Sequence, residues 1–376
     1  MKVYIITLHR AENYGSVLQA FALQEYIKRL GHKVVIMDYH PERYTTKGRL
    51  LRLKNQKKLQ KSFLFLLLAR IFILPSYWKK DFVFNNYIQK YLQISQISFA
   101  SNNEAVDLFE DGDVYCTGSD QVWNSLWNEG IEKALFLDFV PKNKMVFSYA
   151  ASIGLSQINE EEKKLMTSLL DKYEYISVRE DSAVNILKEL GRDDVVENID
   201  PTLLFKSDFW DSFVKDNSPG ANYVLTYNLH HDPIIDQYAK AIADKRNLTI
   251  LNVSYNWHDI FRHGHLKWCP TVESFLGLIK NANYIVADSF HATAFSLIFK
   301  KPFLIVTPEV ARSRIMSLLK KVGLENRLVD KFDSQKLEDN NIDFIRVDEI
   351  LELERSKSYA YISNALNSVN SFTHNR

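Results

Sequence analysis

Short apolar runs, each closing in a polar turn and followed by a segment of helical periodicity, recur along this chain. Val3 to Leu8 is a continuous apolar strand that ends in the loop HRAENYGS. From Val17 to Leu30, Leu18, Phe21, Ala22, Tyr26 and Ile27 share one helical face, with Ser16 as the expected N-cap and Gly31 as the stop. Lys33 to Asp38 returns to strand, giving a β-α-β unit whose loop opens a cleft at the strand's C-terminal end. The alternation continues through strands Val114 to Thr117, Met145 to Ala151, Tyr175 to Arg179 and Val195 to Ile199, with helices at Glu160 to Leu170 and Ser182 to Leu190. Periodicity fails over 206–221, around Pro219 and Gly220, where a domain boundary is predicted. A second series follows: strands Tyr223 to Tyr227, Leu248 to Val253, Tyr284 to Ala287 and Phe303 to Val306, and helices Pro233 to Lys245, Val272 to Asn281 and Ala292 to Phe299. A charged amphipathic helix over 345–367 closes the chain and is expected to pack back across the hinge.

This pattern predicts an α/β protein of two domains, and a length of 376 residues agrees with that. The expected division is 1–205, with a helical insertion at about 41–95, then 206–344, then a helix and tail over 345–376. Hydrophobic and charged fractions of 46% and 25% are those of a globular protein, and a net charge of +1 argues against nucleic acid as a partner. Cys116 and Cys269 lie far apart, so neither a disulfide framework nor a zinc knuckle is indicated. His258, His263, His265 and Cys269 crowd one region, but their spacing fits no closed metal site; a mobile loop over the cleft is the better expectation there. The first apolar run soon meets His9, Arg10 and Glu12, unlike a signal peptide, and Phe63 to Leu74 is too short to span a bilayer, so a cytoplasmic protein is expected. Arg49, Arg52, Lys54, Lys57, Lys58 and Lys61 run directly into that apolar block. The pair reads either as a peripheral contact with the inner face of an anionic membrane or as a solvated helix followed by a buried one.

Candidate chemistry gathers at the ends of the predicted strands. Asp288, Ser289, Phe290 and His291 break the strand Tyr284 to Ala287 just before a helix, a geometry in which free N–H groups and the helix dipole suit a phosphate or carboxylate. His291 at the first turn reaches the same anion, or is a histidine packed beneath a loop. The loop with Asn13, Tyr14, Gly15 and Ser16 has one glycine where a dinucleotide fingerprint needs three, and its polar groups could bind sugar hydroxyls. Ser119, Asp120 and Gln121 follow Gly118 at another strand end, and Trp123 beyond them could stack on a sugar or be buried. Arg179 closes its strand as a fork for a carboxylate or phosphate, or as a partner of Glu180.

The ordered set NYGSVLQAFALQ, GSDQVWN, SYAASIG, SVRE, IDPTLL and DSFHATAFSLIFKKPF resembles the polysaccharide pyruvyl transferase family from about Tyr4 to Phe303. The resemblance implies a fold similar to GT-B glycosyltransferases, with two Rossmann-like domains facing across a cleft. It also implies transfer of pyruvate from phosphoenolpyruvate to two hydroxyls of a sugar, in a cell-surface polysaccharide or its lipid-linked precursor, giving a ketal and phosphate without a cofactor or metal. Arg179 and His291 would then be catalytic, binding the donor with Ser289 and Ala292, where family members often carry glycine in place of Ala292. Asn13, Tyr14, Gly15, Ser16, Ser119, Asp120 and Gln121 would face the acceptor, and Asp288, Asp120 or Glu180 would be the base. The alternative is a GT-B glycosyltransferase using a nucleotide sugar.

Overall fold

The computed structural model describes residues 1–52, 63–215, 220, 222–337 and 341–369. Lys54, Lys57, Lys58 and Lys61 of the basic run, and Pro219 of the expected boundary, lie outside the described residues.

The first lobe is laid down by β1 (Lys2–Ile6), α1 (Tyr14–Arg29) and β2 (Lys33–Tyr39), then α2 (Thr46–Arg52), the long α3 (Phe63–Tyr91) and β3 (Ile94–Phe99). After α4 (Asn102–Ala105) come β4 (Val114–Thr117), α5 (Ser125–Asn128), β5 (Met145–Ser148), α6 (Glu160–Leu170), β6 (Ser177–Val178), α7 (Asp181–Glu189) and β7 (Val196–Glu197). The second lobe follows α8 (Ser207–Asp211): β8 (Tyr223–Tyr227), α9 (Pro233–Arg246), β9 (Thr249–Ser254), β10 (His265–Trp268), α10 (Val272–Asn281), β11 (Tyr284–Ala287), α11 (Phe290–Ile298), β12 (Phe303–Ile305), α12 (Glu309–Val322) and α13 (Phe344–Asn367).

Each lobe holds a five-stranded parallel sheet, ordered β3-β2-β1-β4-β5 in the first and β10-β9-β8-β11-β12 in the second. Strands such as Val114–Thr117 and Tyr284–Ala287 are buried along their whole length, as a parallel sheet covered on both faces requires. The short pair β6-β7 extends the first sheet through the bridges Phe147 to Tyr175 and Ala151 to Val178.

Three local differences from the sequence reading have physical causes. Asn13, not Ser16, caps α1: its side chain accepts from the Gly15 N–H at 2.8 Å, so the helix starts at Tyr14 and the Ser16 hydroxyl is free to point elsewhere. Likewise Ser289 caps α11, which begins at Phe290. The stretch around His258 to Cys269, expected to be a mobile loop, is a 3-10 turn at Trp257–Phe261 followed by β10, which pairs in register with β9.

The lobes share one apolar interior. Tyr14 of α1 stacks on Phe275 of α10 with ring centroids 4.1 Å apart, and its hydroxyl donates to the Pro270 carbonyl at 2.7 Å. Trp210 packs edge-on against Phe295 of α11. Helix α13 crosses back to the first lobe, where the Tyr361 hydroxyl donates to the Ser148 carbonyl at 2.8 Å and Arg355 to that of Leu203. Among the described residues, no helix is long and apolar enough to cross a membrane.

Candidate active site

The C-terminal ends of β1, β4, β8 and β11 converge on one cavity of about 500 Å³ between the lobes, the place where open parallel sheets bind ligands. The first lobe contributes Glu12, Asn13, Ser16, Asp120 and Gln121 to its wall. From the second come His230, Tyr255, Asp288, Ser289, His291 and Arg314. Glu12 and Asp120 sit at φ of 50° and 75°, left-handed conformations that residues other than glycine adopt only where the surroundings impose them.

On the second-lobe side, the first-turn N–H groups of α11 have no backbone acceptor within the helix; Ser289 Oγ takes that of Ala292, and Ser289 and His291 line the cavity there. The imidazole of His291 lies flat against Gly15 of the opposite lobe, so closely that a Cβ at position 15 would overlap the ring. Its Nε2 stands 3.5 Å from Asp200 Oδ2 without a hydrogen bond. Arg314, reaching in from α12, has an Nε that also lacks a partner. Burial and the neighbouring Arg179 charge bring the Arg314 pKa down to about 10. Buried N–H groups left without acceptors beside a helix N-terminus make an anion site.

Arg179 is placed differently from the expectation that it faces the ligand. Its side chain is 1% exposed, behind the cavity wall, where Nη1 donates to Asp200 Oδ2 at 2.7 Å and the guanidinium lies over the Phe290 ring at 4.4 Å. Asp120 and Glu180 stand 3.7 and 3.9 Å from its other nitrogens, neither of which makes a hydrogen bond. Burial alone would push the Asp120 carboxyl up, but Arg179, His291, the Ser16 hydroxyl at 2.5 Å and Arg314 outweigh it and hold Asp120 below the usual carboxylate range. Asp200 is likewise held low despite burial, by His291 and Arg179. Glu180 goes the other way: burial raises it, although Oε1 accepts from Ser152, Ile153 N–H and Gly154 N–H.

Among the residues expected to meet the acceptor, Asn13, Ser16, Asp120 and Gln121 line the cavity. Tyr14 is buried between the lobes, Gly15 is covered by His291, and Ser119 is buried with its hydroxyl 3.3 Å from Asp200. Ala292 is also buried, in the first turn of α11, and Trp123 is stacked on Phe136 inside the first lobe. Of the carboxylates considered as base, Asp288 has both oxygens engaged, by the backbone N–H groups of Leu229 and His230 and by His230 Nδ1 at 2.8 Å. Asp120 keeps one oxygen without a hydrogen bond, its nearest cation being Arg179.

Sequence reasoning missed Arg314, His230, Glu12 and Lys80, all on the cavity wall. No motif marks them: Glu12 and His230 offered only their position after a strand end, Lys80 only its place within the insertion, and Arg314, inside α12, no signal. Glu12 pairs with Arg49 and lies 3.8 Å from Lys80, and burial together with the neighbouring Asp81 carboxyl pushes it up to about 8. Among the described residues no group of three or more His, Cys, Asp or Glu side chains is arranged to hold a metal ion.

Solved structures with a similar fold include a UDP-N-acetylglucosamine 2-epimerase (TM-score 0.52, 10% identity, covering 97% of this chain and 95% of that one). The corresponding putative enzyme from Listeria monocytogenes gives a TM-score of 0.50 at 12% identity, covering 94% and 90%. At such identities the likeness speaks for the GT-B fold alone. Among curated proteins no sequence matches. The family model for polysaccharide pyruvyl transferase matches residues 13–309, a span that runs from the cap of α1 through the histidine of α11, and the chain therefore belongs to the polysaccharide pyruvyl transferase family.

Proposed function

We propose that this protein transfers pyruvate from phosphoenolpyruvate to two hydroxyls of a sugar in a cell-surface polysaccharide or its precursor, forming a cyclic ketal and releasing phosphate. The observation that carries this reading is the convergence of Arg314 and His291, each with a ring or guanidinium nitrogen that makes no hydrogen bond, and the N-terminus of α11 at one end of the inter-lobe cavity. A donor bearing a phosphate and a carboxylate satisfies them.

In this reading His291 either protonates the methylene carbon of the donor, generating an oxocarbenium-like centre, or stabilises the departing phosphate. Asp200, 3.5 Å from Nε2, supplies the counter-charge for an imidazolium. Asp120, with one oxygen free of hydrogen bonds and Ser16 on the other, is the carboxylate placed to take the proton of the attacking sugar hydroxyl. The second hydroxyl then closes the ketal as phosphate leaves, and the departing phosphate takes up that hydroxyl's proton. Arg179 acts from behind the wall as a positioning residue, holding Asp200 and Asp120 in place.

Thermal melting with added ligands tests the choice of donor. Phosphoenolpyruvate should raise the midpoint and UDP-N-acetylglucosamine should not. The reverse pattern would replace this reading with the nucleotide-sugar one.

A further inference from the structure

Helix α3 is apolar on its exposed face as well as on its buried one. Leu68, Ile71, Pro75, Trp78 and Phe82 follow one another at spacings of three and four, the repeat of a single helical face. That face looks outward: Ile71, Trp78 and Phe82 are 60, 61 and 62% exposed. The opposite face, with Ser76, Val83, Phe84 and Tyr87, is the buried one.

The second lobe continues the same surface. The indole N–H of Trp257 donates to the Phe72 carbonyl at 2.7 Å, and the two rings lie 4.5 Å apart. This contact brings the 3-10 turn beside α3, with Ile260 exposed and Phe261 84% exposed. Trp268 of β10 completes the patch, with the Lys79 ammonium 5.9 Å from its ring centroid. An apolar face assembled from two lobes and including Trp78, Trp257 and Trp268 exceeds the scattered exposed side chains normal on a protein surface.

Charge identifies what covers it. The sequence from 46 to 82 holds ten lysines and arginines and one acid, Asp81, whereas the rest of the chain holds 37 cations against 45 acids. Asp81 is itself tied to Thr46 and Arg49. Aliphatic and aromatic side chains on one helical face, tryptophans among them and an excess of cations in the adjoining sequence are what a bilayer interface with anionic headgroups recognises. A spanning role is excluded for α3, since no described helix is long and apolar enough.

We propose that the outer face of α3, together with the Trp257–Phe261 turn and Trp268, docks this protein onto an anionic lipid bilayer. Lys80, next to Lys79, lines the inter-lobe cavity. This proposal stands on the surface alone and does not depend on the reaction assigned to the cavity.

Flotation of the full chain with lipid vesicles tests it. The protein should float with phosphatidylcholine–phosphatidylglycerol vesicles and far less with pure phosphatidylcholine, and added salt should weaken the association. Trp78→Glu and Phe261→Glu should each lower vesicle binding roughly tenfold or more. Both positions are exposed, so their melting midpoints should match the wild type. Absence of binding by the wild-type chain to the anionic vesicles overturns the proposal. So does a concentration-dependent dimer, seen by sedimentation, that the same substitutions abolish, because the face would then be covered by a second copy.

Discussion

Gly15 and His291 depend on each other across the cleft, and that dependence gives the sharpest single-residue test. Alanine is a better helix former than glycine by about 1 kcal/mol, so Gly15→Ala would ordinarily strengthen α1. Here the added methyl overlaps the imidazole and must displace it. The expected outcome is a folded protein whose phosphate release from phosphoenolpyruvate falls as far as in His291→Ala, by roughly a hundredfold or more; normal turnover in Gly15→Ala would mean the ring position is unimportant. The two arginines separate in the same way. Arg314→Ala should weaken phosphoenolpyruvate binding by about tenfold or more while leaving the melting midpoint little changed, measured by calorimetric titration. Arg179→Ala leaves Asp200 and Asp120 buried without their cation and should cost about 3–5 kcal/mol of stability in denaturant unfolding. The sequence showed Arg179 as a charge at a strand end but not its partners, because Asp120 and Asp200 follow other strands, β4 and β7. Arg314 carries no local signature at all; only the packing of α12 against the cleft gives it a role.

At the scale of elements, the buried parallel strands were the most legible feature, since an apolar run bounded by polar turns has few other places to go. Strands β3 and β10 were not, because ISQISF and HLKW lie at sheet edges and are half polar. Helix starts were displaced where two cap-forming residues stand close together, as with Asn13 and Ser16. The turn after β8 carries a pH-dependent element that sequence could not reveal. His230, half-exposed, is raised above its ordinary value of 6.5 chiefly by its hydrogen bond to Asp288. A histidine raised on folding contributes stability that is complete below pH 6.5 and is lost as pH climbs through its folded value. The midpoint difference between wild type and His230→Gln should therefore shrink as pH rises from 6.5 upward; a difference that is flat with pH would remove this pair from the balance.

For the whole molecule, the two-lobed α/β organisation could be read from the break in periodicity between two strand-helix series, whereas the continuity of the interior could not. Tyr14, expected to meet the ligand, instead plugs the junction between α1 and α10. Tyr14→Ala should cost about 3–5 kcal/mol, the ordinary range for emptying a large aromatic site, and calorimetry of the wild type should show one cooperative transition in place of two. In the proposed reaction, the cations and helix tip on the second lobe hold phosphoenolpyruvate while the first lobe presents a sugar. Phosphate release from phosphoenolpyruvate across a panel of sugar glycosides, with the mass of the glycoside followed in the same reaction, tests it directly. Phosphate should appear in proportion to a glycoside carrying one pyruvyl ketal, and both should be abolished by His291→Ala. Phosphate release with no glycoside, together with UDP release from a nucleotide sugar, would contradict it.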